Sequence, residues 1–242
     1  MIYGVHPVEE AMAAGREIDR IFILRSAQNE AVQKLSADAR KMGIAVKAVP
    51  IEKLNRLTRK NHQGVVAFLS AVSFADIGHV VDQAYAAAEQ PLVVVLDHIT
   101  DVRNVGAIAR SAECCGVHGM LMAKDGSAPM SGDAVKSSAG ALMRVPMART
   151  ASLARAITDM EMSGLQIIGI TEKGDTELKD VDFTQPTAMI MGSEEKGISS
   201  ALWKSCSVHA KIPTVGEVSS LNVSVAAGMA LYEALRQRSD KK

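Results

Sequence analysis

The side chains with chemistry to offer lie in three polar, glycine-bearing segments. The first is Asp97-His98-Ile99-Thr100-Asp101-Val102-Arg103-Asn104-Val105-Gly106-Ala107-Ile108-Ala109-Arg110. The second is Gly192-Ser193-Glu194-Glu195-Lys196-Gly197, and the third runs from Pro213 to Asn222. Among their side chains are two carboxamides (Asn104, Asn222), the Glu194 carboxylate, the Arg110 guanidinium and several hydroxyls, a set suited to seating and orienting a polar ligand. Taken one at a time, each has an ordinary alternative: Asn104 as a cap, Arg110 as a solvated helix residue, Glu194 as a loop acid. No segment forms a dinucleotide fingerprint, because Gly106 stands alone at its turn, and no G-K-[ST] phosphate loop occurs. Gly192-Ser193-Glu194 is not a nucleophile elbow, which disfavours a serine hydrolase. The six histidines (6, 62, 79, 98, 118 and 209) are scattered without ligand spacing, so no metal is expected.

Each segment follows an apolar strand pattern, at 92–96 (LVVVL), 188–191 and 208–212. From residue 91 strands and helices alternate. Further strands are expected at 119–123 and 166–170, and helices at 105–115, 131–138, 153–163 and 198–204. The alternation predicts a parallel sheet with helices on both faces, and in such a sheet ligands bind beyond the carboxyl ends of the strands. Three loops at one sheet edge can therefore converge. The last helix is expected to be capped by Ser219 or Ser220, with Asn222 and Ser224 in its first turn. Leu221, Val225, Gly228, Met229, Tyr232 and Leu235 share one face at helical spacing. Its small residues (Ser224, Ala226, Ala227, Gly228, Ala230) allow close packing against the core or a partner subunit. Asn222-Val223-Ser224 matches a glycosylation sequon, but it sits in an apolar helix of a chain with no secretory signal.

The first 70 residues read as a small α/β unit. Helices are expected at 7–14, 29–42 (ended by Gly43) and 51–57, and strands at 18–24, 44–49 and 65–72. A helix at 77–89 follows. The expected organisation is a domain at 1–72, a linker at 73–90 and a second domain at 91–242. Net charge is zero, yet residues 1–70 carry 11 Lys+Arg against 7 Asp+Glu. The excess is densest at Lys53, Arg56, Arg59 and Lys60, beside His62. Such a run is a solvated helix face or a phosphate-contacting patch. With 3% aromatic residues, base stacking on an aromatic platform is not the expected mode. The three cysteines, Cys114, Cys115 and Cys206, form no CxxC pair and are expected as reduced, mostly buried thiols. No apolar run approaches a membrane span, so a cytoplasmic protein is expected.

In this order the three segments resemble the three motifs of the SpoU (TrmH-like) RNA 2′-O-ribose methyltransferases. The matching residues are Asn104-x-Gly106-x-x-x-Arg110, then Met191-Gly192-Ser193-Glu194 with Gly197-Ile198-Ser199, then Ile212-Pro213 with Ser220-Leu221-Asn222-Val223-Ser224. The opening Ile2-Tyr3-Gly4-Val5-His6-Pro7-Val8 and Asn61-His62-Gln63-Gly64-Val65 resemble the substrate-binding domain of one branch, which includes the bacterial 23S rRNA guanosine enzyme. The residue after Glu194 is often Gly in that family and is Glu195 here.

The resemblance implies an L30e-like substrate-binding domain followed by an α/β-knot (SPOUT) domain, S-adenosylmethionine as methyl donor, and a homodimer packed through the knot. It places Gly192, Ile212, Leu221, Thr171 and Ser220 around the cofactor. It nominates Arg110 for activating the 2′-OH, with Asn104, Glu194, Ser220 and Asn222 orienting the reactants. A guanidinium is a poor base, so Arg110 would act through a neighbouring phosphate or by stabilising the forming alkoxide. Lys53, Arg56, Arg59 and Lys60 would contact RNA phosphates. The branch points to rRNA. A tRNA enzyme of the same family and a non-catalytic RNA-binding assembly factor are the alternatives, and a nucleotide-dependent oxidoreductase is disfavoured by the missing glycine fingerprint.

Overall fold

The computed structural model describes residues 1–218 and 220–240. The chain divides into two compact units, residues 1–73 with 129–132, and residues 74–128 with 133–242. In the first unit, β1 (Ile2–Tyr3), α1 (Val5–Ala13), β2 (Ile18–Leu24), α2 (Glu30–Lys41), β3 (Val46–Val49), α3 (Ile51–Leu57) and β4 (Val65–Leu69) follow one another. The sheet order is β1-β4-β2-β3, with β2 and β3 parallel and β4 antiparallel to β1 and β2. Alternation along the strands supplies two cores. Ile21, Val65 and Ala67 pack with Val8, Val32, Leu35 and Ala39 on one face, and Phe22 and Val66 pack with Val49 and Leu54 on the other. Asn29 caps α2 by accepting the Ala31 N–H at 2.9 Å.

The second unit contains β5 (Phe74–Ala75), α4 (Ile77–Ala86), β6 (Leu92–Leu96), α5 (Val102–Cys114), β7 (Gly119–Ala123), α6 (Gly132–Ser137), β8 (Met147–Thr150), α7 (Leu153–Met162), β9 (Gln166–Ile170), β10 (Thr176–Glu177), β11 (Thr187–Met191), α8 (Ser200–Ser205), β12 (Val208–Lys211) and α9 (Val223–Ser239). The first residue of α6, Gly132, groups with the first unit. The segment expected to be a linker is folded: β5 joins the edge of the large sheet beside β8, and α4 packs on β7 and β8. The eight strands are parallel throughout, in the order β10-β12-β9-β11-β6-β7-β8-β5. β6 and β11 are buried along their whole length, as strands covered on both faces must be. Val81, Leu153, Ile157, Met160 and Leu202 pack against Val93, Val95, Leu121 and Ile190, so α4, α7 and α8 share one face. Helices α5 and α9 pack against each other.

One close approach explains a glycine that carries no chemistry of its own. A Cβ on Gly106 of α5 would lie 2.5 Å from the Ser137 Cβ and 2.9 Å from the Ser138 nitrogen, so the helix reaches this distance only without a side chain there. Near the end of α9, Arg238 donates from Nε to the Phe183 carbonyl at 2.9 Å and from its terminal nitrogens to the carbonyls of Gln90, Pro91 and Gln185 at 2.6–3.2 Å. Its guanidinium thus ties the last helix to the segment before β11 and to the start of β6. Burial lowers its pKa from the usual range.

Several expectations change. Helix α5 begins at Val102, because Asp101 caps it by accepting the Arg103 N–H at 2.8 Å. Strands β8 and β10 were not anticipated, being too short for periodicity to mark. The thiols are free, but Cys114 is exposed and Cys115 and Cys206 are only partly buried. Burial pushes the Cys206 thiol up to about 11. Among the described residues no helix is long and apolar enough to cross a membrane.

Candidate functional site

The large sheet sets the site's position. Going from β6 to β8 the chain moves outward on one side, then returns with β9 on the other side and inserts β11 between β9 and β6. The strand order therefore reverses between β6 and β11, whose last residues, Leu96 and Met191, are paired in register. Ile170 of β9 pairs with Met191, and Ala210 of β12 pairs with Ile170. Four strands thus end side by side, and the loops at 97–101, 171–175, 192–199 and 212–222 leave from one edge. A parallel sheet binds ligands at such a switch point.

A cleft opens there, lined from the loops at 171–175, 192–199 and 212–222. All five residues expected on the cofactor side line it: Thr171, Gly192, Ile212, Ser220 and Leu221. Glu194 also lines it. At Gly192 the loop itself requires a glycine. A Cβ there would lie 2.3 Å from the Gly197 carbonyl carbon and 2.4 Å from the Ile198 nitrogen, so it is the loop's own return that needs the glycine. The return closes with the Gly197 N–H donating to the Ser193 carbonyl at 2.7 Å, and Gly197 takes the left-handed conformation at φ 65°. Glu195 has no positive φ. The loop shape therefore does not need glycine at that position.

Glu194 gathers the three segments. Its Oε1 accepts from Asn222 Nδ2 in a short bond, from the Val223 N–H at 3.2 Å and from Asn104 Nδ2 at 3.4 Å. Asn222 Nδ2 also donates to Asn104 Oδ1 at 3.1 Å, which closes a triangle of side chains from α5, the β11 loop and α9. The other end of the Asn222 amide caps α9, with Oδ1 accepting the Ser224 N–H at 3.0 Å and the Val225 N–H at 3.4 Å. Asn222 is therefore the N-cap rather than a first-turn residue, and the helix starts at Val223. Ser220 does not cap it, and Ser219 lies outside the described residues. A carboxylate at this helix start is also favoured by the positive end of the helix dipole.

Arg110 stands apart within one chain. It follows Asn104 by six residues on α5, about 9 Å along the axis and about 240° round it. It is exposed, does not line the cleft, and makes no hydrogen bond or ion pair among the described residues. The α9-facing side of α5 is marked instead by Ser111, whose Oγ lies 3.5 Å from where a Gly228 Cβ would be.

Two residues quoted in the first segment, but given no role there, organise the loop ends. Asp97, directly after β6, is 1% exposed. Its Oδ2 accepts the Ser199 N–H at 2.7 Å, and its own N–H donates to the Met191 carbonyl at 2.9 Å. Its Oδ1 lies 2.6 Å from Nδ1 of His98, which holds a left-handed backbone at φ 57°. An acid placed directly after an all-apolar strand was the available signal for Asp97. Nothing in the sequence marks the backbone of His98.

In the first unit, Lys53, Arg56, Arg59 and Lys60 are all exposed, and none pairs with an acid among the described residues. Lys53 Nζ lies 4.8 Å from the Phe22 ring centroid and Lys60 Nζ 5.9 Å from that of Tyr3. His62 is not part of this patch. It is buried, accepts the Gly64 N–H on Nδ1 at 3.0 Å, and lies 3.0 Å through Nε2 from Asn55 Oδ1.

Comparison with known proteins identifies the family. Residues 91–232 match the model of the SpoU rRNA Methylase family, and residues 1–75 match the model for RNA 2′-O ribose methyltransferase substrate binding. The chain belongs to the SpoU methylase family. It is 32% identical over 98% of its length to YacO of Bacillus subtilis, named as a member of the TrmH family of tRNA/rRNA methyltransferases, and covers 95% of that protein. A likewise named protein of Staphylococcus haemolyticus is 33% identical, over 98% of this chain and 96% of its own. Among solved structures, the SpoU methyltransferase AviRb of Streptomyces viridochromogenes in complex with AdoMet is 29% identical with a TM-score of 0.63, over 99% of this chain and 90% of that one. This SpoU protein is therefore an RNA methyltransferase, and its second unit has the family's α/β-knot fold.

The triangle makes a structural prediction for this family member. Replacing Glu194 with Ala removes the acceptor shared by Asn104, Asn222 and the Val223 N–H. Urea unfolding should lose about 1 kcal/mol, and hydrogen exchange should quicken at the first turn of α9. Unchanged exchange at residues 223–226 would refute the hub role.

Proposed function

We propose that this chain transfers a methyl group from S-adenosylmethionine to a ribose 2′-OH of RNA, with a guanosine of 23S rRNA as the acceptor. The observation that carries the reading is the convergence of Thr171, Gly192, Ile212, Ser220 and Leu221 on one cleft beside the Asn104–Glu194–Asn222 triangle. The residues suit the cofactor. Ile170, Ile198, Ile212 and Leu221 give the cleft an apolar wall for a purine, and Glu172, Glu194 and Glu195 supply negative charge for the cationic end. When bound, S-adenosylmethionine supplies a methyl group already activated by its sulfonium, so positioning can carry much of the rate. Asn104 and Asn222, locked through Glu194, keep the cleft wall fixed.

Arg110 is assigned to the acceptor oxygen, where its charge would favour the alkoxide as it forms. Because it is remote from the cleft in its own chain, we assign the complete site to a homodimer, in which α5 of one copy meets the cleft of the other. The surface available for that dimer is on α9. Val225, Met229, Tyr232 and Leu235 are 50%, 44%, 64% and 37% exposed, where a stable monomer would bury or replace such a stripe. An apolar groove lined by Leu178, Ile212, Pro213 and Met229 adjoins it. The face anticipated from helical spacing is thus the outward one, and α9 turns Val223, Ala227, Ala230, Leu231 and Ala234 inward.

The choice of rRNA over tRNA has its own support. The A. aeolicus TrmH/SpoU tRNA modifying enzyme aligns with 67% of this chain, and a structure described for 2-OH methylation of C/U34 on tRNA aligns with 62%. An AdoMet-bound rRNA methyltransferase of Sinorhizobium meliloti, 25% identical with a TM-score of 0.62, covers 97%. In the first unit, Lys53, Arg56, Arg59 and Lys60 are the proposed phosphate contacts.

Three outcomes check these assignments. Arg110→Ala should bind S-adenosylmethionine as wild type does but lower kcat by about 100-fold or more, with methyl transfer to RNA from cells lacking the protein as the assay; undiminished transfer would remove Arg110 from the chemistry. Light scattering of Met229→Asp/Tyr232→Asp should give a monomer without transferase activity, and a persisting dimer would discard the α9 interface. Changing Lys53, Arg56, Arg59 and Lys60 to Ala should weaken RNA binding and flatten its salt dependence by about one unit of slope per lost phosphate contact. An unaltered slope would mean a merely solvated face.

A further inference from the structure

Methyl transfer to a hydroxyl must release a proton, and Arg110, the residue assigned to the acceptor oxygen, cannot itself take it. Arg110 is a donor only. A second cleft adjoins the first. It is lined by His98, Thr100, Asp101, Asn104, Glu194 and Lys196 among others, and it shares with the first cleft the wall formed by residues 193–196 and Val223. The charged or titratable groups facing it are His98, Asp101, Glu194, Glu195 and Lys196, with Asp97 directly behind His98.

Most of these are committed or unsuited. Glu194 is engaged by three donors. Asp101 is bonded to the Arg103 guanidinium, which lowers its pKa and weakens it as a base. Neither Glu195 nor Lys196 has an orienting partner for its side chain among the described residues. His98 differs in each respect. Asp97 accepts the Ser199 N–H on Oδ2 and faces His98 Nδ1 with Oδ1 at 2.6 Å, an arrangement that selects, in the neutral ring, the tautomer with its proton on Nδ1 and its lone pair on Nε2. The carboxylate is 1% exposed and the imidazole 57% exposed, an oriented base with an open outer nitrogen. The backbone of His98 is held at φ 57°, a conformation unfavourable for a residue with a Cβ. Strain of this kind survives where the surroundings over-determine it, and it is enriched at working sites.

We propose that His98 is the base that takes the 2′-OH proton, oriented by Asp97, and that the second cleft receives the acceptor ribose. As the 2′-oxygen forms its bond to the methyl carbon, the carbon–sulfur bond breaks and its electron pair stays on sulfur. The hydroxyl proton passes to His98 Nε2 and then to water. This inference rests on the methyltransferase reading above.

The test uses the full-length protein, labelled S-adenosylmethionine, and RNA from cells lacking the protein, which carries the acceptor site unmodified. His98→Asn tolerates the left-handed backbone and keeps an N–H for Asp97, but it has no basic nitrogen. It should lower kcat by about 100-fold or more, leave KM for RNA and Kd for S-adenosylmethionine within about twofold, and abolish the acid limb of the pH–rate profile. His98→Gly, which suits the backbone without strain, should show the same loss. Nitrogen-15 NMR of the unmutated protein should find the neutral ring protonated on Nδ1. A kcat near wild type with the acid limb intact overturns the proposal. So does a rise in KM for RNA alone, which would make His98 a phosphate contact, or a proton on Nε2 in the spectrum. If the unmutated protein transfers no methyl group to this RNA, it is the methyltransferase reading that fails, and the NMR result still judges the geometry of His98.

Discussion

One carboxylate oxygen holds the site together. Glu194 Oε1 receives the side-chain amides of Asn104 and Asn222 and the first backbone N–H of α9. Those groups come from three parts of the chain that share no local structure. Charge-assisted bonds of this kind are stronger than neutral ones, and a shared acceptor makes the positions of α5, the β11 loop and the start of α9 depend on one another. Loops left to themselves would sample many arrangements at the sheet edge. Bonded in this way, they present one cleft.

The sheet makes that arrangement possible before any polar bond forms. Because β11 is inserted between β9 and β6, the ends of three buried strands lie in register, and the loops leaving them begin within a few ångströms of one another. Asp97 and Gly192 then set the loops' first steps, the former by binding the Ser199 N–H and the latter by leaving room for Gly197 and Ile198. At the other end of α9, Arg238 binds four carbonyls around Gln90, Phe183 and Gln185. The last helix is thus fixed at both ends, by Glu194 and Asn222 taking its first N–H groups and by a guanidinium filling the acceptors beside its final turn.

Within the first unit the cations divide into two kinds. Arg20 and Lys41 are paired with Asp19 and Asp38, whereas Lys53, Arg56, Arg59 and Lys60 are exposed and without acids among the described residues. Two of these ammonium groups lie over the rings of Phe22 and Tyr3. Such contacts hold the stems in place and leave the charge in solvent, as a polyanion-binding surface requires.

The sequence by itself determined the parallel α/β architecture, the strand ends that bear the site, and the residue types at the three motifs. These follow from local apolar periodicity and from spacing within single loops, which need no knowledge of distant partners. It could not reveal that Asn222, rather than Ser220, caps α9, or that Gly192 answers to its own loop, because both depend on where Glu194 and Gly197 lie in space. The apolar stripe Val225, Met229, Tyr232 and Leu235 was legible as a face, but only the packing of α9 against α5 decided that it turns outward. The separation of Arg110 from the cleft and the pairing of Asp97 with His98 were likewise decided by the tertiary structure. Helix phase and loop curvature set those distances, and neither is encoded in residue type alone.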